Sequence, residues 1–287
     1  MRRPSVFGAA RRADLYVFCK AVVYLLLIYP AIAQPQAFVT VTIKPSRSAG
    51  PRNARMRVSP NGDLAASAIP VLTLLSFAYD LPANPSPRLS VLPGWTRERY
   101  DIEAKAPANA APFGLPSKEV RQRAQQMIRR LLADRFGLVM RVENKRMSVY
   151  ALSVTSRGPK LQKSPVTDEE CTFDTDPEGC HSFIPGFGHP LHARAIDMDD
   201  LAHYVENWTD LPVVNRTALG GLFTVSTEGW APMRLPPPPP GATPEANAFA
   251  RLPTIFTVLG KLGLELKEQE DTLPVYTVEH IERRTGN

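Results

Sequence analysis

The sequence predicts an α+β protein built from two tandem β-α-β-β-α-β-β repeats, and three observations predict it. The first is a gap-free match. Arg135-Phe136-Gly137-Leu138 is followed, twelve positions after its glycine, by Val149-Tyr150-Ala151-Leu152. Lys261-Leu262-Gly263-Leu264 is followed at the same interval by Val275-Tyr276-Thr277-Val278. The second is an amphipathic helical pattern leading into each glycine, over 118–134 and 245–260, which places Gly137 and Gly263 where a helix end takes the left-handed conformation. The third is the alternation after each glycine (Val149, Ala151, Ser153; Val275, Thr277), which predicts a β-hairpin in each copy.

The remaining elements follow in order. Residues 34–54 hold an N-terminal strand and a linker. The first repeat, 55–161, opens with a strand at 55–59. A helix at 69–80 then presents Val71, Leu72, Leu75 and Ala78 on one face. Strands at 89–92 and 100–106 precede the helix at 118–134. The second repeat, 191–287, has a strand at 192–197, a helix at 198–208 with Asp197 as N-cap, and strands at 212–214 and 222–227. Between the repeats, 162–190 is rich in Gly, Pro, Asp and Glu and reads as an irregular loop. A polyproline insertion, 232–244, interrupts the second repeat. Its run 236–240 lacks the flanking context of a recognition motif, so it reads as a stiff spacer.

Composition bounds the function. At 44% hydrophobic the 287-residue chain can bury a core, and its 29 prolines are about twice the usual share. Of the net charge of +6, +4 lies in residues 1–33, which leaves +2 for the rest and removes the case for nucleic-acid binding. That leader has four arginines, an apolar run cut short by Lys20 and Pro30, and small residues at Ala31 and Ala33. It predicts a cleavable signal peptide with cleavage near Ala33, rather than a spanning helix of ~20 residues. Arg11-Arg12 leaves the export route open. The expected location is periplasmic or extracellular, with membrane contact only during export. There, Cys171 and Cys180 are most simply a disulfide.

The motifs Pro93-Gly94-Trp95, 100–107 (Tyr-Asp-Ile-Glu-Ala-Lys-Ala-Pro) and 131–138 (Leu-Leu-Ala-Asp-Arg-Phe-Gly-Leu) carry a resemblance. So do Val149-Tyr150-Ala151-Leu152, Gly158-Pro159-Lys160-Leu161 and Ile281-Glu282-Arg283. Together they resemble an uncharacterised exported family abundant in soil acidobacteria, domain of unknown function 3738. The resemblance implies export and a shared fold and carries no activity with it. Where that family has Val-Val-Asp-Lys/Arg-Thr-Gly-Leu, this chain has Val213-Val214-Asn215-Arg216-Thr217-Ala218-Leu219, so an aspartate and a glycine are replaced. In element order each repeat also looks like the short N-terminal domain of secretins and TonB-dependent receptors, modules that bind other envelope proteins.

No nucleophile elbow, zinc-protease, phosphate-loop or dinucleotide signature occurs, so no cofactor is implied. The leading expectation is a non-enzymatic binding module for an envelope protein or a glycan, using Trp95, Tyr100, Asp101, Asp134 and Arg135. Trp95, in a Pro-Gly turn, is the aromatic expected to be exposed, and strand edges after Val149 or Val275 are expected to accept a partner strand. Two rivals stand beside it. In one, Asp101 and Asp134 form the acid/base pair of a hydrolase. In the other, His181, His189, His192 and His203, near Cys180, sense metal or pH through residues 180–203, although their spacings match no common zinc site.

Overall fold

Leu64, Ala66 and Ile69 are buried along one strand, and Tyr100, Ile102 and Ala104 along its neighbour; these two strands form the centre of the first sheet. The computed structural model describes residues 36–47, 54–82, 86–172, 179–233 and 248–284. The leader 1–33 and the proline run 236–240 lie outside the described residues. Within the first sheet β1 (Thr40–Pro45), β2 (Arg55–Val58), β3 (Leu64–Pro70) and β4 (Arg99–Lys105) are antiparallel in the order β1-β4-β3-β2. Two helices, α1 (Val71–Ala78) and α2 (Ser117–Phe136), cover it. Leu74, Leu75, Ile128, Leu132 and Phe136 close the first core against Tyr100 and Ile102. Strand β3, which begins before the helix predicted at 69, was hidden because Leu64-Ala65-Ala66 reads as well in either secondary structure.

One irregularity in that sheet has a visible cause. The β3–β4 register shifts between Ala66 and Ile69, and Ala68 sits at φ 52°. The Ala68 N–H donates to Asp101 Oδ1 at 2.8 Å, and its carbonyl accepts from Arg99 Nη1 at 2.8 Å. Two β4 side chains thus satisfy the peptide groups that the bulge removes from the ladder.

After α2 come β5 (Val139–Val154) and β6 (Gln162–Lys163). The second half then adds β7 (His192–Ile196), α3 (Met198–Glu206), β8 (Val213–Asn215), β9 (Phe223–Ser226), α4 (Ile255–Lys261) and β10 (Leu264–His280). Strands β6, β9 and β7 form a small sheet in that order. Leu191, Ile196, Leu201, Val205, Phe223, Trp230, Val258 and Leu264 build the second core. Asp197 caps α3 as expected, in a reciprocal box with Asp200. Of the helix predicted over 245–260, residues 245–247 lie outside the described residues, and the rest gives a 3-10 turn at Ala248–Arg251 and then α4 over Ile255–Lys261.

The predicted hairpins are not hairpins. Each is one long strand, and the two pair with each other, antiparallel from Val139↔His280 to Val154↔Leu264. Neither strand needs a turn, because each finds its partner in the other half of the chain. The glycines that start them do take the left-handed conformation, at φ 58° for Gly137 and 71° for Gly263. A Cβ on Gly263 would lie 2.2 Å from the Gly158 carbonyl oxygen, so close approach as well as φ requires glycine there.

The ribbon also corrects the expected open edges. Next to Val149, Tyr150–Leu152 pair in parallel with β8, and the Tyr150 N–H donates to the Pro212 carbonyl at 2.8 Å. Next to Val275, Tyr276 bridges in parallel to Leu89, and its N–H donates to the Arg88 carbonyl at 2.7 Å. The strand predicted at 89–92 is reduced to that single bridge. Both tyrosine edges are therefore already occupied. The described residues from Gln36 onward form one compact unit. Its halves are tied further by the buried, bidentate Arg88–Glu206 pair at 2.8 and 3.0 Å.

Candidate functional site

A cleft of about 400 Å³ opens between α2 and α3. On α2, Lys118, Arg121, Gln122 and Gln125 follow the i, i+3, i+4, i+7 spacing that puts residues on one helical face. The same rule aligns Asp199, Asp200, His203 and Tyr204 of α3 with Asn207, its C-cap. The loop His181-Ser182-Phe183 and Asp80, just after α1, complete the wall. Phe183 stacks on Tyr204 with ring centres 3.9 Å apart and supplies an apolar patch.

The floor is a charge network around His181. Its side chain is 3% exposed, and its ring is held at both nitrogens: Nδ1 lies 2.6 Å from Asp200 Oδ2 and Nε2 lies 3.1 Å from Asp168 Oδ1. Burial alone would lower the pKa of His181; hydrogen bonding to Asp200 and the charges of Asp200, Asp197 and Asp168 outweigh it and raise the value above normal. For Asp200 burial acts upward, while His181, the Asp197 backbone N–H and Lys118 bring the net value below normal. Lys118 pairs with Asp197, the N-cap of α3, and its pKa is raised despite burial. The cluster thus sets the His181 ring and the Lys118 amine among the side chains of Asp168, Asp197 and Asp200.

Its backbone is constrained as well. His181 has φ 53°, its N–H donates to the Ala195 carbonyl at 2.8 Å, and its own carbonyl accepts from Arg121 Nη2 at 3.2 Å. Immediately before it, Cys180 is joined to Cys171 in the expected disulfide, with Cα atoms 5.8 Å apart. The disulfide links the two chain segments that supply Asp168 and His181.

His181, Asp197 and Asp200 have ligand atoms within 4.8 Å of one another, the grouping a metal would need. Here those atoms are already engaged with one another and with Lys118, and both ring nitrogens of His181 face carboxylates. Of the other candidate histidines, two lie outside the cleft. His189 stacks on Trp208, His192 Nδ1 meets Ser226 Oγ at 3.0 Å, and His203 lines the cleft. The four do not converge.

Of the histidines the sequence singled out, His181 and His203 line the cleft; of the five residues expected to bind, none does. Trp95 is half-buried and stacks over Phe136 with ring centres 6.5 Å apart; it is not the exposed aromatic expected from its turn. Tyr100 is 2% exposed and meets the same Phe136 edge-on. Asp101 holds the β3 bulge. Asp134 is exposed and paired with Arg130 one helical turn earlier, at 2.8 Å. Arg135 is half-buried, and its carbonyl accepts from Arg284 Nε at 3.0 Å. The structure therefore gathers Trp95, Tyr100 and the Arg135-Phe136 step around one ring, and gives Asp101 and Asp134 separate structural partners. Sequence reading missed Lys118, Arg121, Gln122, Gln125 and Asp168. The polar stripe on α2 was the available signal, although any solvated helix carries such a stripe.

Fold and site together define a mixed α+β, disulfide-bonded protein with a polar cleft between two helices. Among the described residues no helix is long and apolar enough to cross a membrane. The family described as a protein of unknown function (DUF3738) matches residues 72–281, and the chain belongs to that family. Comparison with curated proteins and with solved structures returns no match.

Proposed function

We propose that this chain is an exported, non-enzymatic binding module of the bacterial envelope, with the α2–α3 cleft as its ligand seat. The observation that carries this reading is the cleft itself. Two helical faces, a loop and Asp80 bring amides, a hydroxyl, charges and an aromatic wall to one concavity, as small-ligand sites do. Chemistry is poorly served there. Hydrolysis by a serine–histidine pair needs a ring nitrogen free to take a proton, and His181 has committed both to carboxylates. The disulfide agrees with an extracytoplasmic life after loss of the leader.

Two tandem copies are the economical account of the architecture. Mid-ribbon, Arg146 faces Thr272, and these positions are 126 apart, as are Gly137 and Gly263. That is the register expected if a pseudo-twofold axis passes through the centre of the ladder.

The test is amide NMR of the mature protein titrated with a panel of peptides, oligosaccharides, nucleotides and phosphate. At least one class is expected to shift the amides of Gln122, Ser182, His203 and Asn207 saturably. Shifts confined to other surfaces, or saturable turnover of a panel member, would defeat the assignment.

A further inference from the structure

Most of the charge in the cleft is balanced internally: Lys118 by Asp197, and His181 by Asp200 and Asp168. Three charges among the described residues are not. On the α2 wall, Arg121 has no carboxylate partner; its Nη2 donates only to the His181 carbonyl. On the α3 wall, Asp199 forms no ion pair among the described residues, acts on Lys118 only through its charge, and accepts an amide hydrogen bond from Asn215 Nδ2 at 2.9 Å. Asp80 likewise accepts only from the Gln125 amide, at 3.3 Å. The charges without an ion pair are thus the Arg121 guanidinium on α2, the Asp199 carboxylate on α3, and Asp80 beside Gln125 on the α2 side.

From this pattern, and resting on the cleft being the ligand seat, we infer that the occupant is a short zwitterionic peptide. Arg121 takes its terminal carboxylate in the fork geometry that guanidinium offers to two oxygens. Asp199, on the α3 wall, takes its terminal ammonium. A lone anion would gain from Arg121 and be repelled by Asp199 and Asp80; a lone cation would meet the reverse. A neutral sugar would cover the half-buried Arg121 guanidinium without pairing it and gain nothing from Asp199. A molecule charged oppositely at its two ends satisfies both walls. Between those ends, the Gln122 amide and Ser182 hydroxyl suit peptide groups, and the Phe183–Tyr204 stack suits an apolar side chain. The volume, about 400 Å³, is at the small end of ligand pockets, and suits a chain of about three residues rather than a folded partner.

The experiment is calorimetric and NMR titration of the mature protein with tri-alanine, with tri-alanine acetylated and amidated at its ends, and with maltotriose. Tri-alanine is expected to bind saturably and shift cleft amides, and the doubly capped peptide to bind at least tenfold more weakly. Arg121→Gln and Asp199→Asn, each checked for an unchanged amide spectrum outside the cleft, should each weaken tri-alanine at least tenfold and leave capped peptide unaffected. Cleft shifts from maltotriose without any from tri-alanine would overturn the peptide and keep the seat. Equal binding of capped and free peptide would overturn the charge assignment. No cleft shift from any of the three would overturn the peptide, and the wider panel then decides the seat separately.

Discussion

Asn215 and Ala218 stand where the resemblance implies aspartate and glycine, and their geometry shows what each side chain does. Asn215 Oδ1 accepts from the Thr217 N–H at 3.0 Å and from its hydroxyl at 2.8 Å, the turn-forming role an aspartate would also fill. Its Nδ2 donates to Asp199, where a second carboxylate would repel. The substitution keeps the turn and relieves a clash of charge at the rim of the cleft. Ala218 is costlier. It sits at φ 55°, a conformation that costs an L-residue about 1–2 kcal/mol and glycine almost nothing. Glycine gives back some of this through the entropy of its unfolded chain. Ala218→Gly should therefore raise stability by about 0.5–1 kcal/mol in urea unfolding; a loss of stability would mean that the Ala218 methyl packs productively.

Among elements, the decisive assembly is the clamp that His181 makes between the disulfide loop, α3 and, through its carbonyl, α2. The groups facing the ring are Asp168 from the loop and Asp200 and Asp197 from α3, with Lys118 of α2 balancing Asp197. Because the folded pKa of His181 lies above its usual 6.5, its contribution is fully present below about that pH and fades as pH rises through the folded value. Asp200, lowered from 3.8, contributes above that pH and loses its effect as pH falls through its folded value. The clamp is strongest between those limits. His181→Gln should cost about 3 kcal/mol near pH 5.5, because it strands a buried carboxylate, and clearly less at pH 8.5. Thermal unfolding at both values measures it, and an equal loss at both would remove the ring's charge from the account. Much at this scale was legible in the sequence. The α2 pattern, the Asp197 cap, the glycine stops and the cysteine pair were all written in local chemistry. The clamp was not, because Asp168, His181 and Asp200 meet only once the loop is folded back on α3. Tyr100, Asp101 and Asp134 stood out as motif residues because they hold a core, a bulge and a helix end. A pattern of residue types does not separate those duties from binding.

At the scale of the whole molecule, the repeats that the sequence suggests cannot be read as two beads on a string. The long strand of each lies against the long strand of the other over sixteen register pairs. The first core is roofed partly by Tyr276, Val278 and Ile281 from the end of the chain. The Glu282 N–H donates to the Phe136 carbonyl at 2.7 Å, and Arg283 pairs with Glu98 at 2.6 Å. Removing either half exposes an unpaired strand edge and opens a core, and an isolated long edge is an aggregation template. Residues 36–161 and 162–287, made separately, should therefore each show collapsed amide dispersion and no cooperative melting. Mixed in equal amounts under native conditions, they should recover the spectrum of the intact protein, since the contacts between them are those of one interior. Cooperative melting of either half alone would mean that its sheet and helices suffice without the ribbon. In that event the cleft, whose walls come one from each half, would be an interface between two independent domains. Recovery only on mixing would make the cleft a fixed part of one core, with α2 and α3 held in register by the ribbon that joins the two halves.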